Sequence, residues 1–142
     1  DIMIAIKRLT ANDISWFNPR SKSHQSGINL PLKSFKQMFT SLYENKSENA
    51  PREGMLVSWY LSNGEKIVQS DCDIIMYHSK NELRMVGIPK NSLGSFIETD
   101  THLLFTREDS HLNVTILSSG FEFLFSQLGL DSLIQKLPPK KG

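Results

Sequence analysis

Lys7, Arg8, Asn12, Asp13, Ser15, Trp16, Arg20, Ser21, Lys22, Ser23, His24, Gln25 and Asn29 crowd the start of the chain. His78, Ser79, Lys80, Asn81, Glu82 and Arg84 form a second cluster near its middle. These are the side chains that nucleic-acid chemistry uses. Lysine and arginine neutralise phosphates and release counterions. Such contacts fix register without specifying sequence. Arginine can read guanine through O6 and N7, asparagine or glutamine can read adenine, and a carboxylate can accept from the cytosine amino group. Glu82 between basic neighbours is informative, because a surface built only for phosphate would avoid it. The plainer reading of the second cluster is an ordinary solvated hairpin tip.

The distribution of charge agrees with two gripping regions. The whole chain of 142 residues has a formal net charge of only +1. From Lys7 to Ser26 four basic residues face one acidic, net +3, and from Met76 to Ser92 three face one, net +2. All other segments sum to −4. Positive charge gathered into two polar stretches suits a DNA-binding surface. Chance clustering of a few residues is the alternative.

The elements that must hold these residues can be read from spacing. Ile2 to Leu9 is strand-like and leads into a polar loop, Thr10 to Ser26. The chain returns through Gly27, Ile28, Asn29 and Leu30 to Pro31. Loops held by a rigid scaffold are common sites of function. Leu32, Phe35, Met38, Phe39, Leu42 and Tyr43 recur at helical spacing and predict one helix over Leu32 to Asn45. Strands are expected at Met55 to Leu61, Lys66 to Gln69, Asp73 to Tyr77, Leu83 to Ile88, Thr101 to Thr106 and Leu112 to Leu117. Asn63-Gly64 carries the two-residue hairpin signal. Strands this short and evenly spaced suggest a barrel or sandwich. A short helix is expected over Gly120 to Gln127, and further turns over Asp131 to Leu137. Pro138-Pro139-Lys140-Lys141 reads as a linker or tail, so the domain is drawn as residues 1–137 and the tail as 138–142. Trp16 and Phe17 are read as the loop's own anchor in preference to a thymine-methyl contact.

IKRLTAND, Ile6 to Asp13, and HQSGINLP, His24 to Pro31, resemble the start of the effector DNA-binding domain of EcoRII-type restriction endonucleases. That family has IKRL-Ser-Ala-Asn-Asp, a loop, and then His-Gln-x-Gly-x-x-x-Pro. It belongs to the DNA-binding pseudobarrel superfamily, shared with plant transcription factors such as the auxin response factors. The resemblance implies a mainly β fold with flanking helices, an open seven- or eight-stranded pseudobarrel. It implies two arms that close on the duplex like the jaws of a wrench. The first arm matches the loop from Thr10 to Ser26. The second matches the tip from His78 to Met85, where Asn81-Glu82-Leu83-Arg84 stands for the family's Asn-Glu-Lys-Arg. By the same analogy Lys7, His24, Asn29, Glu82 and Arg84 occupy recognition or backbone-contact positions. Leu83 departs from the family pattern, so the recognised site need not be the family's own.

The expected function is sequence-specific recognition of double-stranded DNA by a non-catalytic domain. Its parent is expected to be a type II restriction endonuclease with a separate nuclease domain, and any Mg²⁺ would serve that domain; no cofactor is expected for this one. Two alternatives stay open: the nuclease domain itself, or a pseudobarrel that binds a protein or carbohydrate. A nuclease of the PD-(D/E)xK type needs metal-binding carboxylates and a lysine. Here Glu44-Asn45-Lys46 has part of the spacing, but no Pro-Asp dipeptide occurs. His78-Ser79-Lys80 mimics a phospholipase-D-type motif but has Met85 where an acidic residue is needed. The four histidines show no metal spacing, and the single Cys72 excludes an internal disulfide. No apolar run approaches the roughly 18 residues of a membrane span. A cytoplasmic location is expected, and the start at Asp1 suggests an excised fragment.

Overall fold

In the computed structural model, residues 3–121 are described. The expectations for Gly120 to Gln127 beyond Phe121, for Asp131 to Leu137 and for the tail lie outside these residues. Period-two alternation is visible in several strands. In β2 (Ile28–Leu30) Ile28 and Leu30 are buried and Asn29 is exposed. In β5 (Glu82–Val86) Leu83 and Met85 are buried while Glu82 and Arg84 lie on the other face. Met55, Val57 and Trp59 of β3 (Arg52–Leu61) do the same across the core. Alternate side chains of a strand leave opposite faces, so each strand supplies one apolar row.

These strands join β1 (Met3–Arg8), β4 (Lys66–Tyr77), β6 (His102–Glu108) and β7 (His111–Leu117) in one seven-stranded sheet of order β1-β6-β7-β3-β4-β5-β2. The sheet curls into a nearly closed barrel, as a pseudobarrel requires. Neighbouring strands run antiparallel except for β3 and β7, which pair in parallel. β1 and β2 are the two edges of the opening. Inside, Phe35 meets Phe105 edge to face at 5.0 Å, and the indole N–H of buried Trp59 donates to Ser70 Oγ at 3.1 Å. Among the described residues no helix is long and apolar enough to cross a membrane.

Several expected boundaries change. The segments Lys66 to Gln69 and Asp73 to Tyr77 are one continuous strand, since β3 pairs with β4 from Arg52↔Ile75 to Tyr60↔Lys66. The β3–β4 hairpin turns through three residues, not two. Gly64 N–H donates to Leu61 O at 2.9 Å, Leu61 N–H donates to Glu65 O at 2.8 Å, and Gly64 has φ +91°.

The helix expected over Leu32 to Asn45 is broken into α2 (Leu32–Phe35) and α3 (Thr40–Glu44). Phe39 leaves helical geometry at φ −125° and ψ 44°, and Arg107 Nη1 donates to the Met38 carbonyl at the break, 2.8 Å away. Met38, Phe39 and Leu42 are all buried, so the apolar stripe serves the core as expected while the backbone between its halves bends.

The polar loop begins as a helix, α1 (Ala11–Phe17). Thr10 is its N-cap: Asp13 N–H donates to Thr10 Oγ1 at 3.1 Å, and Thr10 N–H donates to Asp13 Oδ2 at 3.0 Å. This reciprocal capping box satisfies two donors that a helix start leaves open. The Thr-Ala-Asn-Asp spacing carries that signal. A further short helix, α4 (Lys90–Leu93), and a 3₁₀ turn at Gly94–Phe96 were not expected. They seat α1: a Cβ at Gly94 would stand 2.7 Å from the Phe17 carbonyl oxygen.

Candidate nucleic-acid interface

The two arms leave the barrel next to its open seam. Beyond α1 the first arm runs from Asn18 to Ser26 with no strand partner. Its shape comes from short-range side-chain bonds. Arg20 N–H donates to Asn18 Oδ1 at 2.9 Å, Ser23 N–H to Ser21 Oγ at 3.1 Å, and Gln25 N–H to Ser23 Oγ at 3.2 Å. Such turns mimic backbone turns and suit Asn and Ser. The side chains of Arg20, Lys22 and His24 are exposed and take no hydrogen bond or ion pair among the described residues.

The second arm is a tight turn between β4 and β5. His78–Lys80 forms a single 3₁₀ turn, and Asn81 follows in the left-handed region at φ 51°. Asparagine tolerates that conformation better than other residues with a Cβ. Ser79, Lys80 and Asn81 are exposed. His78 is committed elsewhere, with Nε2 2.7 Å from the Asn45 carbonyl oxygen. That bond fixes the turn against the loop after α3.

Four of the residues expected to face a ligand are occupied inside the fold. Lys7 is 3% exposed and its Nζ lies 3.2 Å from Asp13 Oδ2. Burial pushes the Lys7 ammonium below its ordinary pKa; the Arg84 charge acts in the same direction, and Asp13 opposes both. Asp13 is 4% exposed and also accepts from Gln25 Nε2 at 2.8 Å. The same Gln25 amide donates to Gly27 O at 2.8 Å, so its N–H groups are turned inward and away from a bidentate adenine contact. Trp16 is 6% exposed, packs edge to face on Phe17 at 4.9 Å and lies under Lys90 Nζ, 4.5 Å from its ring. It is the loop's anchor, the reading preferred above, and has no face left for a thymine methyl.

β2 and β5 bring a further set together. Asn29 pairs with Arg84 in the antiparallel register, so both side chains rise from the same face. Arg84 Nη2 donates to Glu82 Oε1 at 2.8 Å, and Nη1 donates to Ser26 O at 2.7 Å. Their side chains are 20% and 24% exposed, between core and free surface. Leu83 is buried, which explains how an apolar residue is accommodated where the resembling family has lysine. Gly27 makes the join possible. Its φ is +70°, and a Cβ there would stand 1.9 Å from the Met85 carbonyl oxygen, so only glycine fits.

The structure also trims the charge argument. Of the basic residues in the two regions, Lys7, Arg8 and Arg84 are neutralised by Asp13, Asp100 and Glu82. Arg20, Lys22, Lys80 and Lys90 have no carboxylate partner among the described residues. An open cleft of about 810 Å³ lies beside the first arm, lined from β1, α1 and β2 by Arg8, Asn12, Ser15 and Asn29 among others. Thr99 and Asp100 complete it, and no local spacing had pointed to them. Among the described residues no group of three or more His, Cys, Asp or Glu converges on a metal position. Cys72 is buried, and burial pushes its thiol pKa up, away from reactivity.

No protein-family model and no curated protein matches the chain. A solved structure does: the B3 domain of the UbaLAI restriction endonuclease, crystallised with cognate DNA. The identity is 15%, the match covers 99% of this chain and 83% of that one, and the TM-score is 0.53. At this identity the likeness establishes a shared fold.

Proposed function

We propose that this domain binds double-stranded DNA at a short specific site, gripping it with the two arms beside the barrel seam. The observation that carries the reading is the set of exposed side chains with no hydrogen bond or ion pair among the described residues, Arg20, Lys22 and His24 on one arm and Ser79, Lys80 and Asn81 on the other. It is supported by the shared fold, since the similar B3 domain was crystallised with its cognate DNA. Arg20, Lys22 and Lys80 are assigned to phosphates. His24, Asn29 and Asn81 are assigned to base edges, with Asn29 suited to adenine. Glu82 and Arg84 join them as a preformed pair whose remaining carboxylate oxygen and N–H groups face the same side as Asn29. Ser15, Ser21, Ser23 and Asn12 stand at the rim.

In this reading the domain is the non-catalytic reader of a cytoplasmic type II restriction endonuclease. Cleavage, and the Mg²⁺ it would use, belong to a separate nuclease domain. Glu44 and Lys46, which carry the nuclease-like spacing, lie at the end of α3, where Lys46 Nζ sits over the Tyr43 ring at 4.9 Å. The test is titration with a randomised duplex pool, followed by the selected duplex at two salt concentrations. If Arg20, Lys22 and Lys80 each neutralise one phosphate, log K falls with log salt at a slope of about −3. Binding that ignores salt, or no binding to any duplex, would overturn the reading.

A further inference from the structure

Backbone pairing stops at β1 and β2, yet the seam between these edges is not left to solvent alone. A run of polar contacts crosses it. Lys7 of β1 meets Asp13 at 3.2 Å, Asp13 accepts from Gln25 at 2.8 Å, and Gln25 donates to Gly27 O at 2.8 Å. Arg84 of β5 then donates to Gly27 O at 3.4 Å and to Ser26 O at 2.7 Å, and reaches Glu82 at 2.8 Å. Every member is buried or half-buried except Ser26, whose backbone oxygen is the acceptor. The first arm departs from the middle of this run, and the second arm begins at its end.

From this geometry we infer that the run is a clasp that couples the two arms, with Asp13, Gln25 and Arg84 as positioning residues. A strand ladder would hold the seam at one spacing by many backbone bonds. Here a few side chains do so, and they do it at the base of both arms. Arg84 is the joint: its Nη1 holds the first arm's backbone and its Nη2 holds the residue that opens β5. Loss of Arg84, on the second arm's strand, therefore loosens the first arm, 58 residues away in sequence. Charge-assisted bonds of this kind are stronger than neutral ones, so a single joint carries a measurable share of the ordering.

The inference deepens the DNA-binding reading but is tested first without DNA. Amide hydrogen exchange of the whole chain is compared for wild type, Arg84→Met, Glu82→Ala and the control Arg52→Met, which breaks an exposed pair elsewhere on the sheet. Arg84→Met is expected to speed exchange across residues 18–27 by about tenfold or more, with Glu82→Ala smaller and Arg52→Met unchanged there. Arg84→Lys, which keeps a donor for Ser26 O, restores part of the protection. Should Arg84→Met fail to fold, Glu82→Ala and Arg84→Lys still decide. Unchanged exchange in residues 18–27 for the folded variants overturns the clasp.

The second arm of the test uses the duplex selected from the random pool. Gln25→Met and Arg84→Met are combined, and coupled arms predict that the double variant binds no worse than the weaker single one. Multiplying losses would show that the arms act separately. If no duplex binds the wild type, the DNA-binding reading falls, while the exchange result still stands for or against the clasp.

Discussion

The two arms are built by different means. The second is mostly local: β4 and β5 pair from Asp73↔Val86 to Tyr77↔Glu82, the left-handed Asn81 closes the turn, and His78 ties it to the loop after α3. The first arm has no ladder. It depends on a buried ion pair, a capping box and a glycine pressed against β5. A hairpin carries its shape in adjacent residues, whereas an unpaired loop must borrow its shape from distant parts of the fold. The arm with the closer family resemblance is thus the one most dependent on tertiary contacts.

That contrast should break most sharply at Asp13. Asp13→Ala leaves the buried Lys7 charge without its partner and removes half of the capping box, at a cost of about 3–5 kcal/mol. Urea unfolding measures it, and a loss below about 1 kcal/mol would mean that the first arm is as self-contained as the second. Gly27→Ala comes next. The Cβ would collide with Met85 O and the residue would keep a positive φ, so about 1–3 kcal/mol is expected, with the β2–β5 pairing loosened.

Lys7 sharpens the comparison through pH. Its ordinary pKa is 10.5, and burial holds the folded value lower. In the interval between the two values the unfolded chain binds a proton that the folded chain has released, so stability rises with pH there. Lys7→Met removes that rise. The stability of wild type relative to Lys7→Met should therefore climb as pH approaches 10.5 from below, as read by denaturant midpoints. A flat difference would mean that Asp13 fully offsets the burial of Lys7.

The smallest effects belong to exposed positions. Asn81→Gly should change stability by less than about 0.5 kcal/mol, because glycine accepts the left-handed region, while Asn81→Ala costs about 1 kcal/mol. Arg20→Ala and Lys22→Ala should leave unfolding unchanged, yet each should flatten the salt slope of DNA binding by about one unit. If either shifts base preference instead, the division between phosphate and base contacts on the first arm is wrong.

Much of the sheet was legible because its signals are local. Alternation in β2 and β5 places Ile28, Leu30, Leu83 and Met85 inward whatever lies beyond them. The Thr10–Asp13 capping box was equally local, and the polar composition around it masked a readable helix start. The commitments of Lys7, Gln25 and Arg84 were not legible. A basic or amide side chain in a polar stretch looks the same whether it meets solvent or a buried carboxylate, and burial is a property of the assembled fold.

From sequence alone came the β-rich class, the hairpins, the apolar stripe from Leu32 to Tyr43 and the two polar stretches beside basic residues. These follow from the spacing of neighbours along the chain, which sets which face a side chain takes. Only the tertiary structure decided that β3 and β7 run parallel, that β4 is unbroken, and that Lys7 and Arg84 lie along one seam. Those outcomes depend on contacts between residues far apart in sequence, where the winning partner is chosen by the packing of the whole barrel.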